Sequence, residues 1–362
     1  MSLFRRLSVI SGLSILAVVC SHSSAWGITA LFWWVDRYRP VSSPNFDEYG
    51  SLTYWALILL RQLPVFAVPG FLFVSGFFSG YAGRGSSNFT WKMVLQRITT
   101  LLFPYLFWSV VIFIKDAILI QPEPWFNYAL KLLTGNAHIT YFYVLVIMQC
   151  YLLAPWIIRI AKKYPVQLIV ISAILLFLSL LVQYAGLMGI IQPKLPGWFL
   201  PNFLFYFCLG VVASLYQPFF VSWLIKWKRR LIGLSIVFAI MNIVECEWFF
   251  RTTGIVMGSI TLFSANLYAI SVLLALLSIQ TTNPAQLKVW DFLGRHSYAI
   301  YLIHYILLEM VARLIYHFLP QLLGFQILFQ PIMISLAIML PIIAMAALKK
   351  TPLRIGYRYI FG

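Results

Sequence analysis

The sequence predicts an all-α, polytopic membrane fold, and three observations lead there. Hydrophobic residues make up 62% of the 362 positions and charged residues 10%, where a soluble domain averages roughly 45–50% and about 25%. Mean hydropathy is +0.89. The apolar residues gather in ten runs, at approximately 8–30, 53–80, 98–120, 139–159, 165–186, 199–217, 231–246, 256–279, 297–316 and 326–348. Each is close to the ~20 mostly apolar residues that a spanning helix needs. A water-soluble core cannot hide so much apolar surface. A soluble enzyme, a disordered chain, a coiled coil and a secreted disulfide scaffold are excluded.

The first run continues into apolar sequence with no convincing small-residue cleavage site, so it reads as a retained helix rather than a signal peptide. No repeat, low-complexity tract or long linker divides the chain, and 1–362 reads as one membrane domain. Cys20, Cys150, Cys208 and Cys246 lie in or beside apolar runs with no CxxC and no metal-ligand spacing. They read as small packing residues.

Net charge is +17, from 26 Lys+Arg against 9 Asp+Glu. In a soluble chain that excess would point to nucleic acid. In a membrane chain it marks cytoplasmic loops facing anionic lipid, and no nucleic-acid partner is expected. With the N-terminus inside, 18 of the 26 basic residues fall on cytoplasmic segments. Seven fall outside: Arg37, Arg39, Lys115, Lys131, Lys194, Arg251 and Arg313. Ten spans with both termini cytoplasmic satisfy the positive-inside rule.

Ionisable residues inside a span are costly and mark candidate sites. His22 lies about 15 residues into the first run, ~22 Å along a helix, in the polar cluster Ser21-His22-Ser23-Ser24. An imidazole of ordinary pKa suits general-base work on a hydroxyl; the alternative is a histidine bonded to a neighbouring helix. Arg61, inside the second run, suits an anionic ligand or snorkels to the outer interface. His304 shares a helical face with Ser297 and Tyr301, at i, i+4 and i+7, which reads first as a packed, hydrogen-bonded face. Glu309 and Arg313 are spaced for an ion pair, and His138, His296 and His317 fall at span ends. Pro64, Pro69, Gly70 and Gly76 break the second run. Freed carbonyls there need protein or a wet cavity to satisfy them, so a bent helix beside a cavity is expected.

Five stretches resemble the membrane acyltransferase family 3, whose members O-acylate surface sugars. Residues 11–22, Ser-Gly-Leu-Ser-Ile-Leu-Ala-Val-Val-Cys-Ser-His, resemble the first-helix motif ending in the family histidine. Val68-Pro69-Gly70 through Ser75-Gly76-Phe77 is similar to P-x-F-F-x-x-S-G-Y. Arg97 through Leu102-Phe103-Pro104-Tyr105 resembles R-x-x-x-L-x-P-Y, and His138 through Leu145 resembles H-x-W-F-L-Y-x-L. Phe292-Leu293-Gly294 through Tyr301-Leu302-Ile303-His304 is similar to F-L-G-x-x-S-x-x-I-Y-L-x-H. One position departs: the family reads Arg, ten residues, then His, and here the Arg position is Ser11. Arg6 sits sixteen residues before His22 and turns to nearly the opposite face, so a cation must come from another helix, with Arg61 one candidate.

The resemblance implies an integral plasma-membrane enzyme, in a bacterial inner membrane, that moves an acyl group from acyl-CoA to a saccharide or lipid-linked glycan. Acetyl-CoA is the commonest donor; it is a co-substrate, and no tightly bound cofactor or metal is expected. His22 is the expected general base. Arg61, Arg97, Ser21, Ser23, Tyr105 and His304 are the expected substrate-binding residues, and a change at His304 is expected to cost less than one at His22. No GxSxG elbow or HExxH motif occurs, and no acid pairs obviously with His22. Two alternatives stand beside this reading: a transporter or flippase of a polysaccharide intermediate, and a catalytically inactive relative.

Overall fold

A computed structural model describes residues 3–84, 89–119, 121–191, 195–254, 261–279 and 284–362. Lys194 of the charge count and the start of the run at 256–279 lie outside them. In chain order the helices are α1 (Leu3–Phe32), α2 (Leu52–Gln62), α3 (Ala67–Ala82), α4 (Trp91–Leu119), α5 (Trp125–Thr134), α6 (Phe142–Lys163), α7 (Pro165–Leu187) and α8 (Pro201–Leu215). Then follow α9 (Gln217–Thr253), α10 (Phe263–Ser278), α11 (Pro284–Arg295), α12 (Ser297–Phe318), α13 (Gln321–Gly324), α14 (Gln326–Lys349) and α15 (Tyr357–Phe361). The all-helical expectation holds: the described residues contain no strand.

The ten apolar runs correspond to helices in order, but not all at full length. Among the described residues, eight helical segments are long and apolar enough to cross a membrane, with α2 and α3 counted as one. The other two, α8 and α10, have 15 and 16 residues. At ~1.5 Å per residue they reach only ~22–24 Å, short of the ~30 Å hydrocarbon core. Both are well buried, so other helices surround much of them. In contrast, α9 runs for 37 residues, ~55 Å, and the expected span 231–246 is only its middle. Its first turns carry Trp223, Trp227 and the Lys226–Arg230 basic run, with the Arg230 guanidinium 4.4 Å from the Trp227 ring centre. The short helices α5 and α11 had no counterpart among the apolar runs, since neither offers a long apolar stretch.

The central helix is α1, which touches α2, α3, α10, α11, α12 and α14. Over half of its most apolar window is buried, as is that of α12, against about a fifth for α7, α9 and α14. The outer helices therefore present leucine, isoleucine and valine to lipid. Contact between central helices relies on small residues, which let backbones approach where lipid offers no hydrophobic drive to association. A Cβ on Gly76 of α3 would sit 2.1 Å from the Phe207 carbonyl oxygen of α8; one on Gly210 of α8 would sit 2.1 Å from that of Phe73. A Cβ on Gly12 of α1 would sit 2.3 Å from the Trp290 carbonyl oxygen of α11.

The proline-rich break appears as expected. α2 stops at Gln62, a 3-10 turn covers Leu63–Phe66, and α3 starts at Ala67. Pro64 cannot donate in a helical ladder, which explains the interruption. The carbonyls at the break are met by three other helices: Ser21 of α1 donates to Arg61 O (3.4 Å), Asn242 of α9 to Gln62 O (3.4 Å) and Tyr268 of α10 to Leu63 O (3.0 Å). Protein groups thus satisfy these three carbonyls.

The charge asymmetry gives a topological prediction. Ser43, exposed in the segment between α1 and α2, is expected outside. A Ser43→Cys variant should react with an impermeant maleimide added to intact cells; labelling only after the inner face is opened would invert the topology.

Candidate active site

His22 sits on α1 one turn before Trp26, where α1 faces α12 and the end of α2. Its ring centre is 5.3 Å from that of His304 and 5.3 Å from that of Tyr305, both on α12. The His138 ring centre lies 4.4 Å from that of Tyr305. The Arg61 guanidinium is close enough to act electrostatically on His22 and on Tyr305. Three histidines, a tyrosine and an arginine from α1, α2, the turn before α6, and α12 thus meet inside the bundle. Among the described residues no His, Cys, Asp and Glu grouping is arranged to hold a metal ion.

Reciprocal bonds to the turn before α6 hold α12 in this register. Tyr301 donates its hydroxyl to Thr140 O, and Tyr141 donates to Leu302 O at 2.8 Å. The same turn carries His138, whose Nδ1 lies 3.0 Å from the Thr140 hydroxyl. Burial, reinforced by nearby Lys115, pushes the His138 imidazole down to about 4, so it is neutral at physiological pH. Further along α12, Glu309 pairs with Arg313 as expected (3.1 Å) and also with Lys115 of α4 (2.8 Å).

His304 is fully buried. Its Nδ1 donates to the Tyr301 carbonyl at 2.6 Å, while Nε2 has no hydrogen-bond partner among the described residues. The other two residues of its face, Ser297 and Tyr301, line a cavity of about 190 Å³, together with Ser11, Ser75, Tyr143 and Tyr298. Seven of its eleven lining residues are serine or tyrosine. Ser11, standing where the resemblance places an arginine, forms part of its wall. A second, more open cavity of about 450 Å³ shares Leu101 and Tyr151 with the chamber and is lined by Arg97, Gln96 and Thr100. The Arg97 guanidinium is held there by Ser79 Oγ (2.7 Å) and by the rings of Phe89 and Tyr151 (5.2 and 5.1 Å).

The predicted site residues therefore divide. His22, His304 and Arg61 converge. Ser21 joins them through its bond to Arg61 O. Ser23 points elsewhere, donating to Gln330 Oε1 of α14 at 2.6 Å. Tyr105 donates to Leu132 O at 2.7 Å and reaches the cluster only through the rings of Tyr141 and His138. Arg97 lies at the far end of the paired cavities. Sequence reasoning left out Tyr305 and placed His138 only at a span end. The clue was present: His138 heads one of the five motif stretches and Tyr305 follows His304.

The fold and this cluster define an integral membrane protein with a buried histidine site. Residues 5–348 match the family described as an acyltransferase domain, and the chain belongs to that family. Among curated proteins, Succinoglycan biosynthesis protein ExoH of Rhizobium meliloti (strain 1021) is 27% identical over 195 residues, 49% of this chain and 49% of that protein. The chain thus spans about half the length of the curated relative it matches. No solved structure matches it.

Proposed function

We propose that this protein is an O-acyltransferase that moves an acyl group, acetyl in the simplest case, from cytoplasmic acyl-CoA to a hydroxyl of a cell-surface saccharide or lipid-linked glycan, in a bacterial inner membrane. The observation that carries this reading is the pair of adjoining cavities that runs from Arg97 to Ser297 and Tyr301, on the helical face that carries His304. Arg97 offers a guanidinium to the donor's phosphates. The hydroxyl-lined chamber matches a neutral arm with amide and hydroxyl groups. Ser11 and His22 are eleven residues apart on α1, ~16 Å, so a donor anchored at Arg97 and threaded past Ser11 carries its thioester toward His22. The ExoH likeness supports a polysaccharide as the acceptor.

The step itself is an exchange at carbon. His22 takes the proton from the acceptor hydroxyl as the oxygen attacks the thioester carbonyl; the C–S bond breaks and the proton passes to the departing thiolate sulfur. Arg61, on the adjoining helix, supplies positive charge toward the developing oxyanion and fills the electrostatic role that Ser11 cannot.

Mass spectrometry of surface glycans with and without the protein tests the reading: loss of an acyl group is expected, and unchanged glycans would overturn it. At the donor end, Arg97→Ala is expected to weaken acetyl-CoA binding by about tenfold or more, on the scale of one lost charge-assisted contact. Lys228→Ala, on the basic extension of α9, should change it little. Equal effects in a titration would remove Arg97 from the donor site.

A further inference from the structure

We infer that His304 is the positioning partner of His22, a neutral histidine doing for the base what a carboxylate does in a Ser-His-Asp triad. This rests on the acyl-transfer reading above. The observation is the state in which the fold holds the His304 ring. Its Nδ1 donates to Tyr301 O at 2.6 Å, so the proton sits on Nδ1 and Nε2 carries a lone pair. That Nε2 is buried with no hydrogen-bond partner among the described residues, on a side chain with no solvent exposure. A bare buried acceptor is costly unless another state of the protein uses it.

The ring facing it, at 5.3 Å between centres, is His22. His22 is only partly buried, and the proposed contact requires a side-chain rotation that brings one of its N–H groups onto His304 Nε2. That bond fixes the His22 tautomer and leaves its other nitrogen free to take a proton. It also becomes stronger once His22 is an imidazolium, because the donor is then charged.

A neutral acceptor suits this place. The groups facing His22 are Arg61 from α2, His138 from the turn before α6, and His304 and Tyr305 from α12. Arg61 opposes a second positive charge, and a lone pair beside His22 offsets that opposition. His304 does not change protonation in the step: the hydroxyl proton goes to His22 and then to sulfur.

Two variants separate this role from packing. His304→Gln keeps an acceptor oxygen, whereas His304→Leu fills the same buried site with an apolar group. In proteoliposomes supplied with radiolabelled acetyl-CoA and total membrane glycolipid, His304→Leu should lose about 10- to 100-fold in kcat. Its KM for acetyl-CoA should stay within about twofold, and His304→Gln should recover much of the loss. A packing role predicts that leucine does at least as well as glutamine, and that result would overturn the proposal. Nitrogen-15 NMR of histidine-labelled protein decides the point without turnover: the His304 signal is expected to report the Nδ1–H tautomer, and an Nε2–H tautomer would sink the dyad. If the wild type transfers no acetyl while the tautomer is as expected, the acyl-transfer reading fails and the ring geometry stands.

Discussion

His22→Gln is expected to lower acyl transfer by about two to four orders of magnitude, the range that a positioned general base supplies. Glutamine approximates the length of histidine and can still hydrogen-bond, but it cannot accept a proton near neutral pH. The cluster should survive the change, since the bonds that set the register of α12 come from Tyr301 and Tyr141 rather than from His22. Binding of acetyl-CoA should therefore persist while turnover is lost. The check is a single-turnover assay on purified, inserted protein alongside a donor titration. Near-wild-type turnover in His22→Gln would remove it as the base.

The largest effect on stability is expected at the α3–α8 contact. A Cβ on Gly76 meets the Phe207 carbonyl oxygen at 2.1 Å. That neighbour is backbone, which cannot swing aside as a side chain can. Gly76→Ala should force the two helices apart, with a cost at or above the ~1–3 kcal/mol typical of overpacking. Because α8 packs against α3, α6 and α7, the strain spreads to the chamber wall contributed by Val74 and Ser75. Gly233 in α9 is the control: no atom of the described residues lies within 4 Å of its added Cβ, and alanine there should be neutral or stabilising by up to ~1 kcal/mol through helix propensity. Thermal unfolding in a mild detergent distinguishes them. Equal melting temperatures for the two variants would show that the α3–α8 contact is not close-packed.

Much of the architecture was legible from periodicity and composition. The apolar runs marked the spanning helices because lipid forces every backbone group to be satisfied within its own helix, so the signal is local. The break at Pro64 was legible for the same reason, as proline removes a donor wherever it stands. The short lengths of α8 and α10 were not, because apolar sequence around each continues past the helix end. Nor were α5 and α11, whose helices are too brief to raise a hydropathy window.

At the site the division is similar. Residue type and depth pointed to His22, Arg61 and His304 as unusual, since an ionisable group at depth is costly wherever it lies along the chain. Their meeting could not be read that way: His22 and His304 are 282 positions apart, and side-chain convergence depends on how α1, α2 and α12 are rotated and registered. Local chemistry likewise proposed Ser23 and Tyr105 as ligand-facing, and packing directs their hydroxyls to Gln330 and Leu132. Which residues tolerate lipid is a property of each segment taken alone. Which of them face one another is set by close helix contacts such as Gly76 on Phe207 and by bonds such as Tyr141 to Leu302, and these exist only once distant segments have packed.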